Sequence, residues 1–177
     1  MTTPTETDAL RGTPEQVARS YFDAVAARDA QRMAEHWDAQ GVDDIVPFGI
    51  FRGPDEIRGF FDELFAAIPD AETTVDRVIA DDKTAVVQYR LRGNFTGGPL
   101  QGLDAPGKPV EMRGVDVIDV ENGLITRNTA FSDGLEFARQ IGMLPAQGSG
   151  AEKALFGAFN GMNRLKTTIE DRIGGSK

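Results

Sequence analysis

The chain has 177 residues, a formal net charge of −9, 40% apolar residues, no cysteine and a single histidine. Such an acidic chain lacks the basic face that a nucleic-acid backbone or an anionic membrane requires, and a neutral or cationic small molecule fits better. The absence of cysteine excludes disulfides, thiolate nucleophiles and cysteine-ligated metals, and His36 alone argues against a histidine metal site or a histidine-based triad.

Residues 1–12 are polar, threonine-rich and aperiodic, which predicts a disordered tail. "MTTPTETDALRG" lacks the basic and apolar regions of a signal peptide, and no stretch approaches the roughly 20 apolar residues of a membrane span, so a cytoplasmic location is expected. Thr13, Pro14 and Gln16 then read as N-cap, first-turn proline and capping-box glutamine, opening a helix with Val17, Tyr21, Ala24 and Val25 at helical spacing. Asp29 caps a second, short helix expected to carry Met33 and Trp37 and to close at Gly41; His36 and Trp37 read first as its packing residues. One short extended segment is expected over 43–50. A third helix follows from Pro54, with Ile57, Phe60, Phe61, Leu64, Phe65 and Ile68 on one broad face.

After Pro69 the period changes to two. "TTVDRVIA" and "TAVVQYRLRG" read as antiparallel strands, the second with Ala85, Val87, Tyr89 and Leu91 on one face. "GNFTGGPLQGLDAPGKP" is a long glycine- and proline-rich loop, expected at the mouth of any cavity. "VEMRGVDVIDV", the turn "ENG" and "LITRNTAFSD" form a further hairpin, and "GLEFARQIG" a short helix. Three helices followed by a meander define an α+β domain over 13–144. "PAQGSG" is a linker over 145–150. Beyond it, Leu155, Phe159, Met162, Leu165, Ile169 and Ile173 form the stripe of an amphipathic helix over 151–173, expected to dock on its own domain or across a dimer.

The succession "SYFDAVAARD", "GVDDIVPFGIFRGPDEIRGFF", "VDVIDVENGLITRNTAFSD" and "RQIG" resembles the nuclear transport factor 2-like superfamily, and within it ketosteroid isomerase and the SnoaL-like polyketide cyclases. The resemblance spans residues 14–142. It implies a cone-shaped, curved antiparallel sheet with three N-terminal helices around an apolar cavity, and a homodimer through the outer sheet face that covers residues such as Val86. Resemblance to the ketosteroid-isomerase branch implies Tyr21 as a hydrogen-bond donor, Asp44 as the proton shuttle and Asp116 as a second donor. The implied activity is that of a cofactor-free, metal-free acid–base enzyme acting on a hydrophobic terpenoid, steroid or polyketide-like molecule.

The residues themselves support this chemistry. Moving a proton along an enolisable carbonyl compound needs a base that stays ionised, and donors in a dry cavity for the enolate oxygen. Asp44 stands at the edge of an apolar run, which keeps it basic yet reactive. Asp116 lies between Val115 and Val117 and shares a strand face with Ile118 and Val120, so desolvation is expected to hold it protonated. Trp37, Phe48, Phe60, Phe61 and Met112 are the candidate walls. In the polyketide-cyclase pattern the acid–base aspartate falls at Ala130, which leaves Asp133 as an alternative. The limonene-epoxide-hydrolase pattern needs an aspartate beside Arg90 or Arg92, where none stands. Cyclisation, epoxide opening by the same carboxylates and a non-catalytic binding module remain open beside isomerisation.

Overall fold

The computed structural model describes residues 12–174, and among them are five helices and six strands. Apart from Gly12, the expected tail lies outside the described residues. Contacts divide the chain into two compact units, one ending at Phe137 and the other starting at Ala138.

Helix α1 (Pro14–Ala27) begins on the expected capping box: the Gln16 backbone N–H donates to the Thr13 hydroxyl, and the Thr13 N–H donates to Gln16 Oε1 at 2.9 Å. Two of the N–H groups left over at a helix start are satisfied this way. Its buried stripe holds Val17, Tyr21, Ala24 and Val25.

Helix α2 (Ala30–Ala34), capped by Asp29, is shorter than the sequence suggests, and the expectation that it carries Trp37 and closes at Gly41 is corrected. Trp37 instead opens β1 (Trp37–Val46). The cause is tertiary. The Ile125 N–H donates to the His36 carbonyl at 2.8 Å and Trp37 pairs with Ile125, so the last strand draws this stretch into the sheet. A Cβ at position 41 would stand 2.8 Å from Trp37 Cε3; glycine there makes room for the indole, at the register shift between Trp37 and Val42.

Where one extended segment is expected, β1 and β2 (Gly49–Arg52) form a hairpin. Helix α3 (Gly53–Ala67) follows, with Pro54 in its first turn and Glu56 Oε2 accepting from the Arg52 N–H at 2.7 Å. Ile57, Phe60, Leu64 and Ala67 form its buried face.

The remaining strands are β3 (Glu72–Ala80), β4 (Thr84–Phe95), β5 (Lys108–Glu121) and β6 (Leu124–Ser132). They complete one curved sheet in the order β2-β1-β6-β5-β4-β3. Every neighbouring pair is antiparallel except β1 and β6, which run parallel. Alternation along β5 sends Val110, Met112, Gly114, Asp116, Ile118 and Val120 to the buried face. The core of this unit lies between that face and the helices, with Val17, Met33, Trp37, Ile57, Val87, Ile118 and Ile125 in one cluster. The opposite face exposes Ile79, Val115 and Phe131.

The glycine-rich loop after β4 has a structural task. Thr96 and Gly97 donate their N–H groups to the Ala67 carbonyl and Gly98 donates to Ala66, which satisfies the orphan carbonyls of the last turn of α3. Leu100 is fully buried, and Gln101 donates from backbone and side chain to Glu63. Gly97 must be glycine here, because any Cβ would collide with the Ala66 carbonyl oxygen.

Helix α4 (Gly134–Ile141) crosses the division between the units, and α5 (Gly150–Gly174) lies in the second. Glu152 accepts from Arg139 Nη2 at 2.8 Å and from the Gly148 N–H at 2.6 Å, which fixes the start of α5. Leu155, Phe156, Phe159 and Met162 of α5 are exposed. Among the described residues no helix is long and apolar enough to cross a membrane.

Candidate active site

Four adjacent strands each bring one polar side chain to the inner face of the sheet. β1 contributes Asp43, β6 Asn128, β5 Asp116 and β4 Tyr89. The register explains the row: Asp43 pairs with Asn128 across the parallel ladder, and Asp116 sits two residues along β5 from Ile118, the antiparallel partner of Asn128. Asn128 Nδ2 donates to Asp43 Oδ1 and to Asp116 Oδ2, both at 3.0 Å. One amide therefore bridges two carboxyl groups. Tyr89 reaches Asp116 from the other side, its hydroxyl within hydrogen-bonding reach. Gly114, opposite Tyr89 in the ladder, leaves the space that the phenol ring occupies.

These groups open onto a narrow cleft with a cavity volume of about 60 Å³, continuous with solvent at its mouth. Helix α1 lines it with Tyr21, Phe22 and Val25, and α3 with Phe60, Phe61 and Leu64. Phe48, from the β1–β2 turn, packs on Phe60 with ring centroids 5.7 Å apart. The walls are apolar except for the row itself, Tyr21 and Ser132.

Burial sets the electrostatics. Asp43 is 0% and Asp116 4% exposed. Desolvation pushes the Asp116 carboxyl up to about 7, against the hydrogen bonds from Asn128 and Tyr89 that favour its charged form. Asp43 is raised well above the usual carboxylate range, by desolvation first and then by the neighbouring Asp116, with Asn128 opposing. Two carboxyl groups joined through one amide resist ionising together. Asp116 has two donors for its charge and Asp43 has one, so the first charge settles on Asp116 and the proton stays on Asp43. Such a pair titrates as a unit.

Four of these polar side chains also keep an unused atom. Tyr21 Oη, Asp43 Oδ2, Asp116 Oδ1 and Asn128 Oδ1 are buried without a hydrogen-bond partner. Burial, then Asp43 and Asp116, raise the Tyr21 phenol well above its ordinary value, so it remains a donor. Because the Trp37 indole is the one group near its hydroxyl that offers a hydrogen bond, and outside good bonding geometry, Tyr21→Phe is expected to change thermal stability by no more than about 1 kcal/mol. A loss of more than about 2 kcal/mol in chemical denaturation would show a partner that this geometry does not provide.

The expected site residues can now be placed. Tyr21, Asp116, Phe48, Phe60, Phe61 and Met112 all line the cleft. Asp44 does not, and this placement is corrected. Asp43 and Ile45 face inward, so the alternation of β1 turns Asp44 to the other face of the sheet, where it is half-buried. Trp37 also lies off the cleft; it supports Tyr21 from below, with ring centroids 6.0 Å apart in an edge-to-face contact. Asp133 is not among the lining residues; it accepts from the Glu136 N–H at 3.0 Å at the start of α4. None of residues 96–107 lines the cleft, because that loop caps α3 instead of covering the mouth. His36 packs away from the site: the Arg32 carbonyl takes its Nδ1–H at 2.9 Å, so Nε2 accepts from the Ser20 hydroxyl at 2.8 Å.

Asp43, Asn128 and Tyr89 were not among the expected site residues. Tyr89 carried a usable signal, since it shares the apolar face of β4 with Ala85, Val87 and Leu91. Asn128 carried none beyond a lone amide in a strand.

Residues 18–128 match the SnoaL-like domain family. The chain belongs to the SnoaL-like domain family. No curated protein matches it at significant similarity. Solved structures share the SnoaL-like architecture. One, described as a SnoaL-like polyketide cyclase from Jannaschia sp. CCS1, is 20% identical with a TM-score of 0.66, covering 82% of this chain and 100% of that one. A protein of ketosteroid isomerase-like fold from Catenulispora acidiphila DSM 44928, in complex with trimethylamine, is 17% identical with a TM-score of 0.62, covering 78% and 99%. IdmH from Streptomyces antibioticus, described as a polyketide cyclase, is 19% identical with a TM-score of 0.62, covering 74% and 99%. At these identities the shared property is the fold.

Proposed function

We propose that this SnoaL-like domain is an acid–base enzyme that moves a proton on a hydrophobic carbonyl compound through an enolate. The observation that carries this reading is the Asn128 amide bridging two buried carboxyl groups, each with a free oxygen in an apolar cleft. A base and an acid side by side at neutral pH are what enolisation requires.

In this reading Asp116 is the base and Asp43 the acid. The Asp116 carboxylate takes a proton from the carbon next to the carbonyl, the electron pair of that C–H bond becomes the C=C bond of the enolate, and the carbonyl π pair moves onto the oxygen. Asp43 and Tyr21 donate hydrogen bonds to the oxygen as its charge grows, in a site too dry for water to compete. Asp116 then returns the proton at another carbon of the enolate. Ring closure by aldol addition begins with the same abstraction, so both outcomes draw on one pair. The assignment reverses the roles expected from the sequence, where Asp116 was the neutral donor, and it moves the second carboxyl from Asp44 to Asp43.

The test is hydrogen exchange. A panel of hydrophobic cyclic ketones and enones, incubated with the protein in deuterated buffer and followed by NMR, is expected to incorporate deuterium at carbons next to the carbonyl. Asp43→Asn and Asp116→Asn should each suppress the incorporation. Exchange that persists unchanged in Asp116→Asn, or no exchange across the panel, would overturn the reading.

A further inference from the structure

The charge balance of the cleft is incomplete. One carboxylate of the pair is ionised near neutral pH, and no lysine, arginine or histidine is among the residues lining the space around it. Among the described residues no cation is a cause of the shift at either acid: burial, Asp116, Asn128 and Asp44 act on Asp43, and burial, Asn128 and Tyr89 on Asp116. A buried charge without a counter-charge is costly, and proteins usually pair it.

The unused atoms specify what is missing. Asp116 Oδ1 and Asn128 Oδ1 are buried acceptors with nothing donating to them. Tyr21 Oη and the protonated Asp43 are donors that lack an acceptor. The lining also includes Phe22, Phe48, Phe60 and Phe61, and aromatic rings attract cations through their negative faces. An anionic ligand would meet a carboxylate and find no positive group.

We infer that the ligand of this cleft carries one positive charge: a hydrophobic amine, protonated at neutral pH, with an oxygen acceptor a few bonds from the nitrogen. Its N–H donates to Asp116 Oδ1 and Asn128 Oδ1, and its oxygen accepts from Tyr21 and Asp43. One ammonium against one carboxylate closes the charge balance and leaves the proton on Asp43. This names the substrate class for the reading above and rests on the same acid pair, but it concerns recognition and holds whether or not the ligand is turned over.

The groups that face the pair are known from every element packed on it: Tyr21 from α1, Tyr89 from β4, Asn128 from β6, Asp44 through β1, and only apolar side chains from α3. None of these carries a positive charge, so the acid pair dominates the pH response. Binding a cation favours the ionised pair. Affinity should therefore rise with pH until Asp116 is ionised in the free protein, at about 7.

The experiment compares three small probes by isothermal titration: N,N-dimethyl-2-naphthylmethylamine, the neutral 2-(2-naphthyl)ethanol and the anionic 2-naphthylacetate. At about pH 8 the amine is expected to bind at least ~10-fold more tightly than the alcohol, with the carboxylate weakest. Between about pH 6 and 8 its affinity should rise several-fold, with proton release on binding below about pH 7. In the double variant Asp43→Asn, Asp116→Asn, with the fold checked by circular dichroism, the preference for the amine over the alcohol should shrink to within about twofold. The inference is overturned if the alcohol or the carboxylate binds as tightly as the amine, if no amine binding is detected, or if the preference survives in the double variant. The exchange assay separates the two ideas: amine preference without exchange sinks the enzyme alone, and exchange without amine preference sinks only this inference.

Discussion

Asp116→Asn is expected to lower kcat by about 10²–10⁴-fold on any substrate found by the exchange assay, the range typical for loss of a general base. The amide retains the shape and accepts hydrogen bonds, but it takes no proton. The wild-type rate should rise with pH through about 7, where the Asp116 carboxyl ionises, and the residual rate of the variant should lose that step. Asp44→Asn is the built-in control, because its side chain stands on the other face of the sheet. A variant at Asp44 that loses as much rate as one at Asp116 would return the shuttle role to the residue first expected.

The fold should be more stable at mildly acidic than at mildly alkaline pH. Asp116 ionises near 7 in the folded protein and near 3.9 in the unfolded chain, so its folded-state pKa is raised. Between those values the native state holds a proton that the unfolded state has lost, and stability falls as pH rises. Asp43, raised in the same direction, extends the trend to higher pH. From pH 5 to pH 8 the Asp116 share alone is on the order of 3 kcal/mol, which corresponds to a drop in Tm of roughly 6–12 °C for a domain of this size. Asp70, Asp76, Asp81 and Glu111 have lowered pKa values and weaken the fold only as pH falls through them, below this window. The double variant Asp43→Asn, Asp116→Asn should lose this fall and keep only the rise toward neutral pH that His36 contributes, because burial lowers its imidazole pKa below the ordinary value. A wild-type Tm that rises from pH 5 to pH 8 would show that the pair is solvated and ionised.

Much of this architecture was legible because local signals and tertiary packing agree. The Thr13–Gln16 capping box, the apolar face of α3 and the alternation of β4 and β5 all formed as read. The inward direction of Asp116 followed from strand parity alone. Asp44 came from the resemblance and not from parity, which had no anchor there: the start of β1 was hidden in a helical reading of Met33 and Trp37, and its register shifts between Trp37 and Val42. A one-residue error there exchanges Asp43 for Asp44. Asn128 was out of reach for a different reason. Its role depends on a parallel pairing between strands 85 residues apart, and on the irregularity between Asp119 and Val120 that sets how β6 lies on β5. The task of loop 96–107 was also hidden, since glycine-rich composition does not distinguish a cover for a cleft from a cap on a helix.

The parallel seam between β1 and β6 has a consequence for how the molecule forms. The two acids and their amide come from chain regions that meet only when that seam closes, a contact of high sequence separation that is slow to form. Until the seam closes, Asn128 cannot bridge the two acids. The bridge between the acids therefore rests on one non-local junction, and opening that junction separates Asp43 from the amide that links it to Asp116.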